Sequence, residues 1–341
     1  MVNNTRYRKA LKQFIPDILI KDGRILVTGA TGLIGSCLID LLMLANENGR
    51  TFEIYALGRS KEKLRKRFIS FKDSQRLHFI EQDVRTPLKD NIHYDYIVHG
   101  ASNADPRNYA LYPVETMLTT MEGTINVLRY GKAHPTSKIL LLSSFEVYGN
   151  TGKDVYFEKD GGTLDLNAIR SCYPESKRCV EILSRCYVDE YEVDVTIGRL
   201  CSIYGPTMGK NDSKAHAQFI RNALRNEDII LKSKGEQRRT YCYVMDAVTA
   251  LLCLLSKGLP GEAYNISYDQ SVASIAEVAQ TVAEIVGTKV VFSLPDEVET
   301  RGFSKPQNCI LNNEKLRSLG WKGCYALKEG LKETIDILSQ Q

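Results

Sequence analysis

Short apolar runs rich in β-branched residues alternate, along the first two-thirds of the chain, with longer stretches whose apolar positions recur at helical spacing. The runs cover residues 25–28, 52–57, 77–80, 96–99, 138–143 and 193–198; helical patterns cover 33–44, 113–131 and 175–191. Continuous apolar strands alternating with helices predict an α/β fold, with a doubly wound parallel sheet covered on both faces. After Gly205-Pro206 the texture changes. Residues 209–214 are polar and loop-like, 215–225 read as a helix and 229–231 as a strand. Gln237, Arg238 and Arg239 read as a basic turn, and 247–255 and 274–286 as further helices. This second texture predicts a smaller C-terminal α/β lobe. No internal repeat or low-complexity tract interrupts it.

Composition narrows the classes. The 341 residues suffice for one large unit plus a smaller lobe. A net charge of +4 is too weak to argue for nucleic acid. No apolar run reaches the roughly 18 residues of a membrane span. Residues 1–22 carry Arg6, Arg8, Lys9 and Lys12 without the apolar core of a signal peptide, so a cytoplasmic protein is expected. Phe14, Ile15, Ile18 and Leu19 there suggest a short amphipathic segment packed on the main body. The nine cysteines form no CxxC pair. Cys172, Cys179 and Cys186 recur every seven residues and share a helix face. They read as small buried hydrophobes in a reducing compartment, and no metal site is expected.

Strand 25–28 runs into Gly29-Ala30-Thr31-Gly32-Leu33-Ile34-Gly35, and a helix follows. Glycines there permit a tight turn and a close backbone approach to a pyrophosphate, which the free N–H groups of the helix start can bind. The loop predicts a dinucleotide. The chain then divides into an extension (1–22), a dinucleotide-binding domain (23–205) and a mainly substrate-binding lobe (206–341), with about 241–266 returning to the first domain. Downstream, Tyr173 and Lys177 stand four apart and share a helix face. Pro174 is tolerated if the helix starts nearby. The Lys177 ammonium is expected to lower the Tyr173 phenol pKa, making it a base for a hydroxyl proton. Ser144 ends strand 138–143 in the run Ser143-Ser144-Phe145-Glu146-Val147-Tyr148-Gly149.

The GxxGxxG loop, the Tyr173/Lys177 YxxxK pair and Ser144 resemble the extended short-chain dehydrogenase/reductases, the NAD-dependent epimerase/dehydratase family. The resemblance implies a Rossmann-type domain and a nucleotide-diphosphate sugar substrate. It implies cofactor contacts from Gly29, Thr31, Gly32, Leu33, Ile34 and Gly35, from Asp83 and Val84 at the third strand end, from Ala101 and Ser102 after the fourth, and from Tyr173 and Lys177. NAD-preferring members place an Asp at the end of the second strand, where this chain has Arg59. Arg59 suits a 2′-phosphate, so NADP is favoured by that residue and NAD by the family.

Longer stretches resemble UDP-glucuronate decarboxylases. Ser171–Arg178 is similar to their SCYDEGKR, the segment from His99 through Pro106, Asn108 and Tyr109 to Thr124 to HLASPASPPNY…GT, Tyr204–Met208 with Asn211-Asp212 to YGPRM…NDGR, and Gly235–Asp246 to GxQTRSFxYVSD. The likeness runs from Arg24 to Trp321. It implies a 4-keto intermediate, with Ser144, Glu146, Tyr173 and Lys177 catalytic, and with Ser144, Glu146, Ser202, Lys214 and Arg239 touching substrate. It also implies a homodimer formed through helices 113–131 and 175–191, whose Met117, Val127, Leu128, Val180 and Leu183 suit either that interface or the sheet. Glu146 matches decarboxylases and 4,6-dehydratases. Phe145 stands where decarboxylases have Ser, Thr207 and Lys214 where they have Arg, and Ser202 and Thr120 where they have Asn. These departures leave 4-epimerase, 4,6-dehydratase and NADPH-dependent keto-sugar reductase as alternatives. A non-catalytic dinucleotide sensor is the alternative outside enzymes.

Overall fold

The alternating runs build a seven-stranded sheet in a computed structural model that describes residues 1–89, 91–231, 233–293 and 307–340. Its strands are β1 (Arg24–Thr28), β2 (Glu53–Gly58), β3 (Leu77–Glu81), β4 (Tyr96–His99), β5 (Lys138–Ser144), β7 (Val195–Leu200) and β11 (Ala263–Ile266). The short β6 (Val155–Tyr156) lies outside this sheet. The order is β11-β7-β5-β4-β1-β2-β3, with every neighbour pair parallel. The chain runs outward from β1 to β3, then returns to the other side of β1 as β4. That reversal opens a crevice at the carboxyl ends of β1 and β4, the place where doubly wound sheets bind ligands.

Burial follows from the two-residue period of a strand. Ile25 and Val27 of β1 face one core, shared with Leu38 and Leu42 of helix α2 (Leu33–Glu47). Leu26 faces the opposite core. That second core holds Val127 and Leu128 of α5 (Pro113–Ala133) and Val180 of α6 (Cys172–Tyr191). These three residues therefore pack on the sheet and are not free for an interface; Met117 and Leu183 are half-buried. Short helices α1 (Thr5–Lys12), α3 (Lys61–Arg67) and α4 (Pro106–Leu111) complete this part of the chain.

The smaller lobe has β8 (Ser202–Tyr204), β9 (Ile229–Leu231), β10 (Arg238–Tyr243), β12 (Val272–Ser274), β13 (Val290–Phe292) and β14 (Ile310–Leu311), with α7 (Ala215–Leu224) and α9 (Ile275–Val286). Strand β10 lies between β8 and β12, parallel to the first and antiparallel to the second. Helix α8 (Val244–Lys257) leaves this lobe to pack on α2 and leads to β11 at the edge of the large sheet.

Several expectations need correction. The basic turn at 237–239 is the start of β10, because Arg238 and Arg239 pair with Ser274 and Ala273 across the ladder. The sixth strand begins at Val195, two residues later than its apolar run. Helix α6 starts at Cys172, which puts Pro174 in the first turn, where its missing N–H has no helical partner to lose. In the N-terminal segment the helix lies earlier, at Thr5–Lys12; Phe14 and Ile18 are buried, but Leu19 is exposed. Cys179 and Cys186 are exposed and Cys172 half-buried, because their shared face points away from the sheet.

Candidate active site

The glycine loop leaves β1 with Gly29 at φ +70, a left-handed conformation that a side chain rarely adopts. A Cβ on Gly29 would sit 2.7 Å from the Gly100 carbonyl oxygen, so the two loops at the crevice touch backbone to backbone. A Cβ on Gly35 would sit 2.6 Å from the Gly29 carbonyl oxygen, which brings α2 hard against the turn. Gly32 is the N-cap of α2 and offers no side chain to its N–H groups. Thr31 and Gly32 are exposed at the lip, with Leu33 and Ile34 half-buried behind them. An uncapped 15-residue helix approached by bare backbone fits a diphosphate.

The neighbouring loops are braced from below. Thr28 Oγ1 accepts from the backbone N–H groups of Gly100 and Ala101, each at 3.1 Å. It also meets His99 Nδ1 at 2.8 Å. Burial and the Lys177 charge push His99 down to about 3, so its imidazole is neutral. Ser102 pairs with Thr120 at 3.0 Å, and Val84 is buried beside Gly123. Asp83 takes three hydrogen bonds from Arg85, which hold its carboxyl below the usual range. Arg85 also reaches Glu115 at 2.9 Å, and Arg59 stands 3.6 Å from the other Glu115 oxygen. Arg59 therefore belongs to a four-member group with two cations and two carboxylates.

Tyr173, in the first turn of α6, is only 5% exposed. Its ring stacks on Tyr109 of α4, centroids 5.1 Å apart. Burial, with the Glu146 charge, raises its phenol above the ordinary value, while a hydrogen bond with Ser144 pulls the other way. The expected lowering by Lys177 is absent, because Lys177 Nζ donates to the Leu142 carbonyl at 2.7 Å and lies 5.9 Å from the Tyr173 ring centre. Burial lowers Lys177 to about 8, opposed by the Glu181 carboxylate one turn on. Ser144 Oγ also accepts from the Glu146 N–H at 3.2 Å.

Glu146 Oε1 receives two donors, Arg170 Nη2 at 3.1 Å and Tyr109 Oη at 3.4 Å. Arg170 lies in the short 3-10 turn Ile169–Ser171 before α6. The motif reading passed over it, although it stands three residues before Tyr173. Behind the pair, Arg199 of β7 holds Glu181 through Nε and Nη2, and Ser143 Oγ donates to Glu181 at 2.5 Å.

The remaining predicted contacts lie on the lobe side. Ser202 and Arg239 line one small cavity with Phe145, Cys201, Thr240, Cys309 and Leu311. The Arg239 guanidinium lies over the Phe145 ring at 5.8 Å, and its Nη2 donates to Gln237. Its buried Nε has no hydrogen-bond partner among the described residues. Lys214 reaches Asp212 at 3.5 Å, and burial, helped by the charges of Lys214 and Arg239, pushes His216 down to about 4. The structure thus joins Ser144, Glu146, Tyr173 and Lys177 in one cluster. It sets Ser202 and Arg239 behind Phe145 and leaves Lys214 on a separate loop. Among the described residues no group of three or more His, Cys, Asp or Glu suits a metal ion.

Known proteins share both sequence and fold. The pattern of the NAD dependent epimerase/dehydratase family matches residues 25–267. UDP-glucuronic acid decarboxylase 6 of Arabidopsis thaliana is 35% identical over 312 residues, covering 90% of this chain and 86% of that protein. UDP-glucuronic acid decarboxylase 1 of Xenopus tropicalis is 31% identical over 319 residues, 93% of this chain and 72% of that one. Among solved structures, a dTDP-glucose 4,6-dehydratase from Streptomyces venezuelae superposes with a TM-score of 0.79 at 23% identity, over 93% of this chain and 97% of that one. With a family match over more than half its length and these relatives, the chain belongs to the NAD dependent epimerase/dehydratase family.

Proposed function

We propose that the protein is a UDP-glucuronate decarboxylase-like enzyme that binds NAD and acts through a 4-keto sugar. The observation that carries the reading is the convergence of Ser144, Tyr173, Glu146 and Arg170 at one point of the crevice. Gly29, Thr31, Gly32, Leu33, Ile34 and Gly35 would hold the dinucleotide diphosphate, Asp83, Val84, Ala101 and Ser102 its adenosine side, and Lys177 the nicotinamide ribose. Arg59 supports NAD over NADP, because Glu115 already offsets its charge.

Bound NAD would supply the oxidising hydride acceptor at the sugar C4 and, once reduced, the hydride that restores C4 after decarboxylation. Burial keeps the Tyr173 phenol protonated, so Tyr173 Oη would take the C4 hydroxyl proton once the positive charge of a bound oxidised nicotinamide lowers its pKa, and Ser144 Oγ would orient that oxygen. A carboxylate on C5 is then β to a ketone and leaves as CO2, its bonding electrons passing into the C4 enolate; a proton at C5 restores the ketone. Glu146, in the cluster with Tyr173 and Arg170, would handle that proton. Arg170, which sets a guanidinium beside Glu146 and Tyr109, would be the cation nearest a substrate carboxylate held at this cluster. Ser202, Lys214 and Arg239 would meet the nucleotide diphosphate.

Phe145 favours a second reading, a 4-epimerase on the same substrate. Its ring has no hydroxyl to offer, and it covers Arg239. Incubation with UDP-glucuronate and mass spectrometry separates the two. Loss of CO2 is expected; an isomer of unchanged mass selects the epimerase, and an untouched substrate overturns both.

A cytoplasmic homodimer is part of the proposal. Exposed Val114 and Leu118 on α5 and Ile182 on α6 form an apolar outer face that supports it. All nine cysteines are unpaired, and no helix among the described residues is long and apolar enough to cross a membrane.

A further inference from the structure

The segment 205–214 leaves β8 and leads to α7. It is tied to the dinucleotide side at two points. Thr207 Oγ1 donates to the Leu33 carbonyl at 2.7 Å, in the first turn of α2. Six residues on, Ser213 meets Asp105. The Ser213 N–H donates to Asp105 Oδ2 and its Oγ donates to Asp105 Oδ1, both at 2.8 Å. Asp105 is the N-cap of α4 and also accepts from the N–H groups of Arg107 at 3.0 Å and Asn108 at 3.4 Å. These bonds hold its carboxyl below the ordinary range against the cost of burial.

Three features set this contact apart from an accidental one. It joins residues 108 apart in sequence, one in each lobe. It links two parts of the candidate site, because α4 carries Tyr109, stacked on Tyr173, and Ser213 precedes Lys214. Finally, the same segment is fastened at a second point, where Thr207 Oγ1 donates to the Leu33 carbonyl in the first turn of α2.

We infer that segment 205–214 is a strap along the mouth of the crevice, and that Asp105 is a positioning residue which fastens it through Ser213. The strap sets the distance between Tyr109 and Lys214, and so the width of the sugar-nucleotide site. A charge-assisted, two-point contact is short and geometrically demanding, which suits it to hold a loop without burying much surface. The inference rests on the sugar-nucleotide reading for its kinetic consequence, but not for the contact itself.

The test compares D105S, D105N, S213G and the double variant D105S/S213G in the full chain. Serine and asparagine both cap helices well, so α4 keeps its start in either single variant at position 105. Serine is too short to reach Ser213, whereas asparagine, with its Oδ1 at the oxygen that caps α4, still accepts from Ser213 Oγ and loses only the Ser213 N–H bond. With UDP-glucuronate, D105S is expected to raise KM about tenfold while kcat stays within about twofold. D105N should stay within about threefold of the parent KM. S213G should raise KM less than D105S, and add nothing in the D105S background. Effects that multiply in the double variant, or a D105S KM equal to that of the parent, overturn the strap. Hydrogen exchange at the Ser213 amide gives a readout independent of the reaction. It should be protected in the parent, and fast in D105S and in D105N, which both leave that N–H without its acceptor. If the parent leaves UDP-glucuronate untouched while the exchange pattern holds, the contact stands and the substrate reading falls; equal exchange in all variants removes the contact.

Discussion

The two sides of the crevice are built differently. On the dinucleotide side, each functional group is held by a strand end or a helix turn. Lys177 is tied to the Leu142 carbonyl, Thr28 to two backbone amides, and Glu181 to Arg199 and Ser143. On the lobe side, Arg239 keeps a buried Nε without a partner among the described residues, Lys214 rides on a loop, and Phe145 replaces a hydroxyl. The first side leaves little room for variation, because every change strands a buried polar group. The second can be altered residue by residue.

The largest effect should come from the rigid side. Tyr173→Phe removes the phenol that meets Ser144 and should lower turnover about 10²–10⁴-fold. Bound dinucleotide, read by absorbance after denaturation, should be unchanged; a variant that stays fully active would break the proposed division of labour. Next, Arg199→Met leaves the buried Glu181 carboxylate without its bidentate partner. A loss of about 3–5 kcal/mol in unfolding free energy is expected from denaturant titration. A loss near zero would mean that the rigid side is less tightly determined than its contacts imply.

On the lobe-facing edge, Arg170→Gln removes one donor from Glu146 and the cation offered to a substrate carboxylate. KM for UDP-glucuronate should rise roughly tenfold, with a smaller change for UDP-glucose. Equal changes for both sugars would remove Arg170 from carboxylate recognition. The smallest effect is on pH. Lys177 is pushed down to about 8, so its ammonium is lost as pH rises through that value, and turnover should fall on the alkaline side. Glu181 raises this pKa; Glu181→Gln should therefore move the alkaline limb to lower pH, by no more than about one unit. A shift to higher pH would contradict the sign of that interaction.

The legibility of the site follows the same division. Gly29, Gly32, Gly35, Tyr173 and Lys177 could be read because each is tied to a local period: a strand, a turn, then one helix face. Arg170 was missed although it is close in sequence to Tyr173, because its role depends on Glu146, which lies 24 residues away. The pairing of Asp105 with Ser213 could not be read from either segment alone. The start of β10 was mistaken for a turn because two adjacent arginines hide a strand whose pairing is decided by β8 and β12.

The sequence alone determined the alternation of strands and helices, the glycine turn and the four-residue spacing of Tyr173 and Lys177. Those depend on periods of two and 3.6 residues and on which backbone angles a side chain permits. The tertiary structure decided the rest: that Lys177 points to Leu142 while burial raises the Tyr173 phenol, that Arg59 is offset by Glu115, and that Arg239 lies over the Phe145 ring. Each of these depends on distance and desolvation between segments far apart in the chain, and neither is a local property.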